Sequence, residues 1–178
     1  MSPNQNLYFL PSGTVEEFNV VIEIPHGSQN KYELDPQTGA IFLDRVLYGA
    51  AFYPGNYGFV PSTKAEDGDA LDVIVFLSNP VPPGVVVKSR AIGILKMEDS
   101  GEMDSKIIAV ANDDPYFKDV LDISDLPSHK LKELSDFFEN MQKFKKGEWK
   151  KNVNKILGFG DKLEAEAEVR KYLNNYTK

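Results

Sequence analysis

The first patterned run of the chain places Phe18, Val20, Ile22 and Ile24 at alternate positions in EFNVVIEIP, the period of a strand that turns one face inward. KYEL, AIFLDRVL, NYGFVPS, LDVIVFL, VVVKSRAIGILKM and SKIIAVA follow, with Gly, Pro and Asp between them. Short strands at this spacing predict a closed or strongly curved antiparallel sheet. Then the period changes. From Pro127 to about Lys146, Leu131, Leu134, Phe138 and Met141 recur at helical spacing, and Phe137 and Phe144 widen the stripe. Asp161 is a good N-cap for a second helix through EAEAEVRKYL towards Tyr172. The pattern therefore predicts a mainly β chain with flanking helices (α+β): a barrel over about 14–112 and a helical part over about 123–176. NPVPPG, Asn79 to Gly84, reads as a rigid connection between strands.

Composition narrows this picture. With 178 residues, 42% of them hydrophobic, one domain with a real core is expected. Lys and Arg number 20 against 27 Asp and Glu, a formal charge of −7, which argues against a broad nucleic-acid footprint or an anionic membrane surface. It leaves a phosphate ligand open, because divalent cations bridge acidic side chains to polyanions. The absence of Cys excludes disulfides and thiolate metal sites. MSPNQNLYFLPSG lacks the basic start and long apolar stretch of a secretion signal, and no later run reaches membrane-spanning length. The expected location is the cytoplasm.

The chemistry concentrates in EDGDALDV, where Asp67, Asp69 and Asp72 crowd the start of an apolar strand. Asp-Gly alone marks a turn whose acids face water. A bend at Gly68 also aims Asp67 and Asp69 at one point. A second acidic group lies in MEDSGEMDSK, where Asp99 and Asp104 bracket a Gly turn and Lys106 follows. Elsewhere Glu23 ends an apolar strand, Lys31 and Glu33 flank Tyr32, Arg45 interrupts IFLDRVL, and Tyr53 and Tyr57 straddle Pro-Gly in FYPGNYGF. Each has an ordinary reading as an outward strand position, an ion-pair partner of Asp44 or Glu33, or a core ring. Together they form the inventory of a phosphate site: a guanidinium fork, ammonium charges, phenol donors, and carboxylates to organise Mg²⁺.

The segments VVIEIP, KYELD, GAIFLDRV, FYPGNYGFVPST, DGDALDV, GILKMEDSGEMDSK and FFENMQKFKKGEW, in this order from about Thr14 to Trp149, resemble the family I soluble inorganic pyrophosphatases of the short prokaryotic type. The resemblance implies a five-stranded closed β-barrel like the oligonucleotide-binding fold, with two main helices outside, assembled as a compact homohexamer. It implies Mg²⁺-dependent hydrolysis of pyrophosphate to two orthophosphates by in-line attack of a metal-activated water, with Mn²⁺ or Zn²⁺ as substitutes. Asp67, Asp72 and Asp104 would hold the activating metals and Asp69 would be the general base. Glu33 and Asp99 would serve further Mg²⁺, and Glu23 would support the metals through water. Lys31, Arg45, Tyr57 and Lys106 would bind phosphate oxygens, with Tyr53 nearby.

The pattern is broken in places. Where the family has Tyr followed by Lys after the paired phenylalanines, this chain has Met141 and Gln142; Ala70 and Ser100 replace a common Pro and a common acid. The competing expectations are a catalytically weakened homologue, a Ca²⁺-binding module, and an oligonucleotide-binding barrel that uses FYPGNYGF as a stacking platform. His26 and His129 are expected on the surface or in loops, without a role.

Overall fold

The computed structural model describes residues 6–65, 68–141, 144–145, 148–149 and 154–175. The seven strand-like runs become β1 (Phe18–Ile24), β2 (Asn30–Leu34), β3 (Ile41–Val46), β4 (Asn56–Val60), β5 (Leu71–Phe76), β6 (Val86–Asp99) and, after the two-residue strand β7 (Glu102–Met103) within the acidic turn, β8 (Lys106–Ala111). After helix α1 (Ser128–Asn140) come the short strands β9 (Phe144–Lys145) and β10 (Glu148–Trp149), then β11 (Asn154–Gly160) and helix α2 (Lys162–Asn175).

Five strands pair in the order β1, β4, β5, β8, β6, and β6 pairs again with β1, so the pairings return to the strand on which they began. The β5–β8 pair is parallel, unlike the antiparallel sheet expected from the pattern. The long β6 carries β7 and β11 as further partners. β11 corrects the reading of about 123–176 as helical: NKILGFG, with two glycines in seven residues, gives a weak strand signal of its own. It carries the β structure well past residue 112.

Both faces of the central strands are covered. On β5, Val73 and Val75 join one apolar cluster with Phe18, Val20 and Ile22, against which α2 sets Ala165, Val169 and Tyr172. Ile74 and Phe76 join the other, where α1 inserts Leu134, Phe137 and Phe138. β1 is likewise covered on both faces, since Val21 is as buried as Val20 and Ile22. Gly58 on β4 is a packing necessity: a Cβ there would lie 1.9 Å from the Val21 carbonyl oxygen, beside an irregularity in the β1–β4 register.

Helix α1 is shorter than the apolar stripe suggested. It ends at Asn140, and Phe144–Lys145 pairs antiparallel with Glu148–Trp149 instead of continuing the helix. Asp161 caps α2, accepting from the Glu164 amide at 3.0 Å. The β2–β3 hairpin forms a separate two-stranded sheet, and Ile41, Phe42, Leu43 and Val46 of β3 lie exposed. No helix among the described residues is long and apolar enough to cross a membrane.

Candidate active site

The register Val73 opposite Ile107 in the parallel pair sets Asp72, one residue earlier on β5, beside Lys106 at the start of β8. Lys106 Nζ lies 2.5 Å from Asp72 Oδ2 and also bonds Asp104 Oδ1. It is 4% exposed, an ammonium enclosed by two carboxylates. Burial pulls its pKa down, but the charges of Asp72 and Asp104 outweigh this and the net shift is upward. Burial raises the Asp104 pKa, against the opposing pull of Lys106. Tyr57, on β4 next to β5, donates from its hydroxyl to Asp72 Oδ2 at 2.6 Å. Burial first, then the Asp72 charge, keeps that phenol protonated far above its usual range.

The opposite wall comes from the β2–β3 hairpin. Lys31 stands across from Arg45 in register, and Asp44 holds both, at 3.3 Å from Lys31 Nζ and 3.3 Å from Arg45 Nη1. Lys31 also bonds Glu33. Tyr53, 2% exposed, packs against Tyr57 and Phe137 with centroids 5.6 and 4.8 Å away. Burial raises its pKa too.

The β4–β5 loop has a fixed neck. Thr63 Oγ1 donates to the Val60 carbonyl at 2.6 Å and accepts from the Leu71 amide at 2.9 Å, joining the two strand ends. Gly68 takes a φ of +94°, and Asp69 is exposed beyond it. Across the cavity, β6 ends at Asp99, and Ser100 and Gly101, both at positive φ, turn the chain back into β7. Ser100 Oγ bonds Asp99 Oδ1 at 2.9 Å.

A cavity of roughly 400 Å³ brings together Asp69, Asp72, Asp99, Asp104, Lys31, Arg45, Tyr53, Tyr57 and Lys106. Glu23 and Glu33 line an adjoining cavity of roughly 280 Å³, which shares Lys31, Tyr57, Asp69 and Asp72 with the first. Glu23 Oε1 accepts from the Leu34 amide at 2.7 Å, tying β1 to β2. Burial lifts its pKa to about 8, with Asp72 and Glu33 adding to the shift. Asp67, Gln142 and Lys143 lie outside the described residues. Met141 closes α1 at the cavity wall, where its thioether offers packing but no charge. The wall also contains Met97 and Asn154, which the sequence reading did not single out, and Phe138, which it read only as part of the α1 apolar stripe. Asn154 was hidden because its strand was.

The charged donor set suits a hard divalent cation, since it consists of carboxylate oxygens and offers no thiolate or imidazole. Among the described residues, no three acids converge as a ready cage. Lys106 stands between two of the acids and Lys31 between Glu33 and Asp44, each lysine occupying the place of a cation. Of the rings in FYPGNYGF, Tyr53 and Phe59 are buried, Tyr57 is half-buried in the cavity wall, and Phe52 is exposed.

Comparison with known proteins gives the family. A family model described as "Inorganic pyrophosphatase" matches residues 20–177. An inorganic pyrophosphatase of Thermus thermophilus is 47% identical over 96% of this chain and 98% of its own length. Soluble inorganic pyrophosphatase 1 of Arabidopsis thaliana is 49% identical over 88% of this chain and 70% of its own. Among solved structures, the Thermus thermophilus enzyme superposes with a TM-score of 0.89 at 47% identity, covering 96% of this chain and 98% of that one. The Helicobacter pylori inorganic pyrophosphatase does so with 0.87 at 41% identity, over 94% and 98% of the two chains. These matches do not favour a non-catalytic cation-binding module.

Proposed function

Since the chain belongs to the inorganic pyrophosphatase family of metal-dependent hydrolases, we propose that the cavity between Asp72 and Lys31 hydrolyses pyrophosphate to two orthophosphates by in-line attack of water. The observation that carries this reading is the single cavity in which Asp72 and Asp104 face Lys31 and Arg45. One side collects cations and the other collects anions, as a metal-bridged polyphosphate requires.

Asp72, Asp104 and Asp67 are the residues to hold activating Mg²⁺, with Asp99 and Glu33 serving ions that accompany the substrate and Glu23 supporting them through water. Mn²⁺ and Zn²⁺ are substitutes with the same preference for these oxygens or tolerance of them. Such cations, when bound, acidify water and neutralise phosphate charge. Asp69, exposed on its loop, accepts the proton of the attacking water at a carboxylate oxygen. Lys31 and Arg45 orient the phosphate oxygens. Tyr57 and Lys106 give hydrogens to Asp72 and are the donors that would bind phosphate oxygens.

The circuit of five strand pairings supports a closed barrel of the oligonucleotide-binding type, read as one domain with its helices outside. The exposed apolar positions Phe42, Leu43 and Val46 on β3 support self-association, for which a homohexamer in the cytoplasm is the proposed form. Sedimentation of the purified chain tests the assembly. The function is tested by phosphate release from pyrophosphate with Mg²⁺ titrated from zero. Asp69→Asn should lower kcat by about 10²–10⁴-fold while leaving cation binding in place. No release from the folded wild type with any of the three metals would overturn the reading.

A further inference from the structure

Asn154, the first residue of β11, stands opposite Asp99 in the antiparallel pair with β6. Residues directly opposite in such a pair project to the same side, with Cβ atoms about 5 Å apart. Both line the catalytic cavity, alongside Asp104, Phe138 and Met141. Asn154 is 5% exposed, and its Nδ2 donates to the Phe138 carbonyl oxygen at 2.7 Å. Only the NH₂ end of an amide donates, so this bond sets which end is which and fixes Oδ1 as the other. That oxygen is buried and has no hydrogen-bond partner among the described residues.

A buried amide acceptor without a donor is costly, and native chains retain few of them without a use. The Lys106 ammonium in the same wall bonds Asp72 and Asp104 and makes no bond to Asn154 Oδ1. A carbonyl oxygen beside carboxylates repels further anionic oxygen, whereas it welcomes a hard cation's water, whose hydrogens are polarised outward. We infer that Asn154 Oδ1 accepts a hydrogen from water hydrating a divalent cation at Asp99, making Asn154 an uncharged positioning residue of the cation site. This rests on the reading of the cavity as a cation-dependent site. It gives β11 a task in binding, and it explains why a polar residue begins a strand whose neighbours in the wall are Phe138 and Met141.

Two substitutions separate this role from a structural one. Asn154→Leu and Asn154→Asp both delete the donor to Phe138, but only Asp keeps an oxygen at the inferred position. Mn²⁺ binding to the metal-free full chain is followed by the electron paramagnetic resonance signal of the free ion, without and with the slowly hydrolysed analogue imidodiphosphate, whose own Mn²⁺ uptake is subtracted, so that ions accompanying the substrate are counted. Asn154→Leu should weaken one class of sites about tenfold, as loss of an outer-shell partner does, and Asn154→Asp should hold or tighten it. The Leu effect should vanish in an Asp99→Asn background. Equal effects of both substitutions, or none, would overturn the inference while wild-type Mn²⁺ binding leaves the cation reading standing. A folded wild type that binds no Mn²⁺ would overturn both. If the Leu variant does not fold, Asn154→Val carries the same comparison.

Discussion

Lys106 Nζ lies 2.5 Å from Asp72 Oδ2, and the lysine side chain is 6% exposed while that of the aspartate is 31% exposed. The ammonium thus does inside the protein what a bound cation would do from outside. Lys106→Met leaves Asp72 and Asp104 facing each other without it. Because both acids reach solvent, the loss should fall below the roughly 3–5 kcal/mol typical of breaking a fully buried pair, at about 2 kcal/mol. Urea unfolding in a chelator should show that loss, and Mg²⁺ should reduce it. Equal losses with and without Mg²⁺ would mean that the two acids do not share a cation.

Met141 places a thioether at the cavity wall where the family pattern has a phenol, and Gln142 follows it in place of a lysine. Met141→Tyr combined with Gln142→Lys should restore charge-assisted contacts worth about 1.5–3 kcal/mol, or roughly tenfold to a hundredfold in kcat/KM. Steady-state hydrolysis of pyrophosphate measures this. An unchanged kcat and KM would show that the natural residues already satisfy the substrate.

Gly58 faces the Val21 carbonyl at a distance no side chain tolerates. Gly58→Ala should force β4 from β1 and lower stability by about 3 kcal/mol, at the upper end of overpacking effects. Thermal unfolding reads the loss. Tyr57 is the next residue, so cation binding should weaken as well in whatever fraction folds.

Asp122 accepts from the Ser124 amide at 3.0 Å and the Lys162 amide at 3.1 Å, and these backbone donors hold its pKa below the ordinary value. A carboxylate depressed in the folded state contributes stability above its unfolded pKa and loses it as pH falls through the lowered one. Asp122→Ala should cost about 1 kcal/mol at neutral pH, as cap removal does. Asp122→Asn, which keeps an acceptor, should flatten the acid limb of a plot of stability against pH. An acid limb identical to the wild type's would rule out this carboxylate as a contributor.

Much of this was legible before the structure. Alternation marked β1, and the spacing of Asp69, Asp72, Asp99 and Asp104 around two turns marked one cavity, because turn residues at strand ends tell where side chains gather. What stayed hidden was non-local. Phe144 fits the α1 stripe by period alone, yet its backbone pairs with β10, and period does not report on hydrogen bonds made after a turn. In β11, Gly158 and Gly160 mask a strand that β6 stabilises from outside the segment, so Asn154 gave no signal. Asp44 was visible only as an ion-pair option for Arg45, and its hold on Lys31 needed the hairpin register.

The strand β6 pairs with β1, made long before it, with β7 and β8, which follow it directly, and with β11, which comes well after. This has a consequence for the order of events as the polypeptide leaves the ribosome. Phe18 waits for Ser89, and Asp72 meets Lys106 only after β6 has been made and the chain has turned back, so early products contain acids but no centre. Distant pairings are slow to form because loop closure precedes their reward. A nascent chain should therefore carry β1 and β5 each short of one partner until β6 and β8 emerge, and these early strands are the segments a chaperone would have most reason to hold.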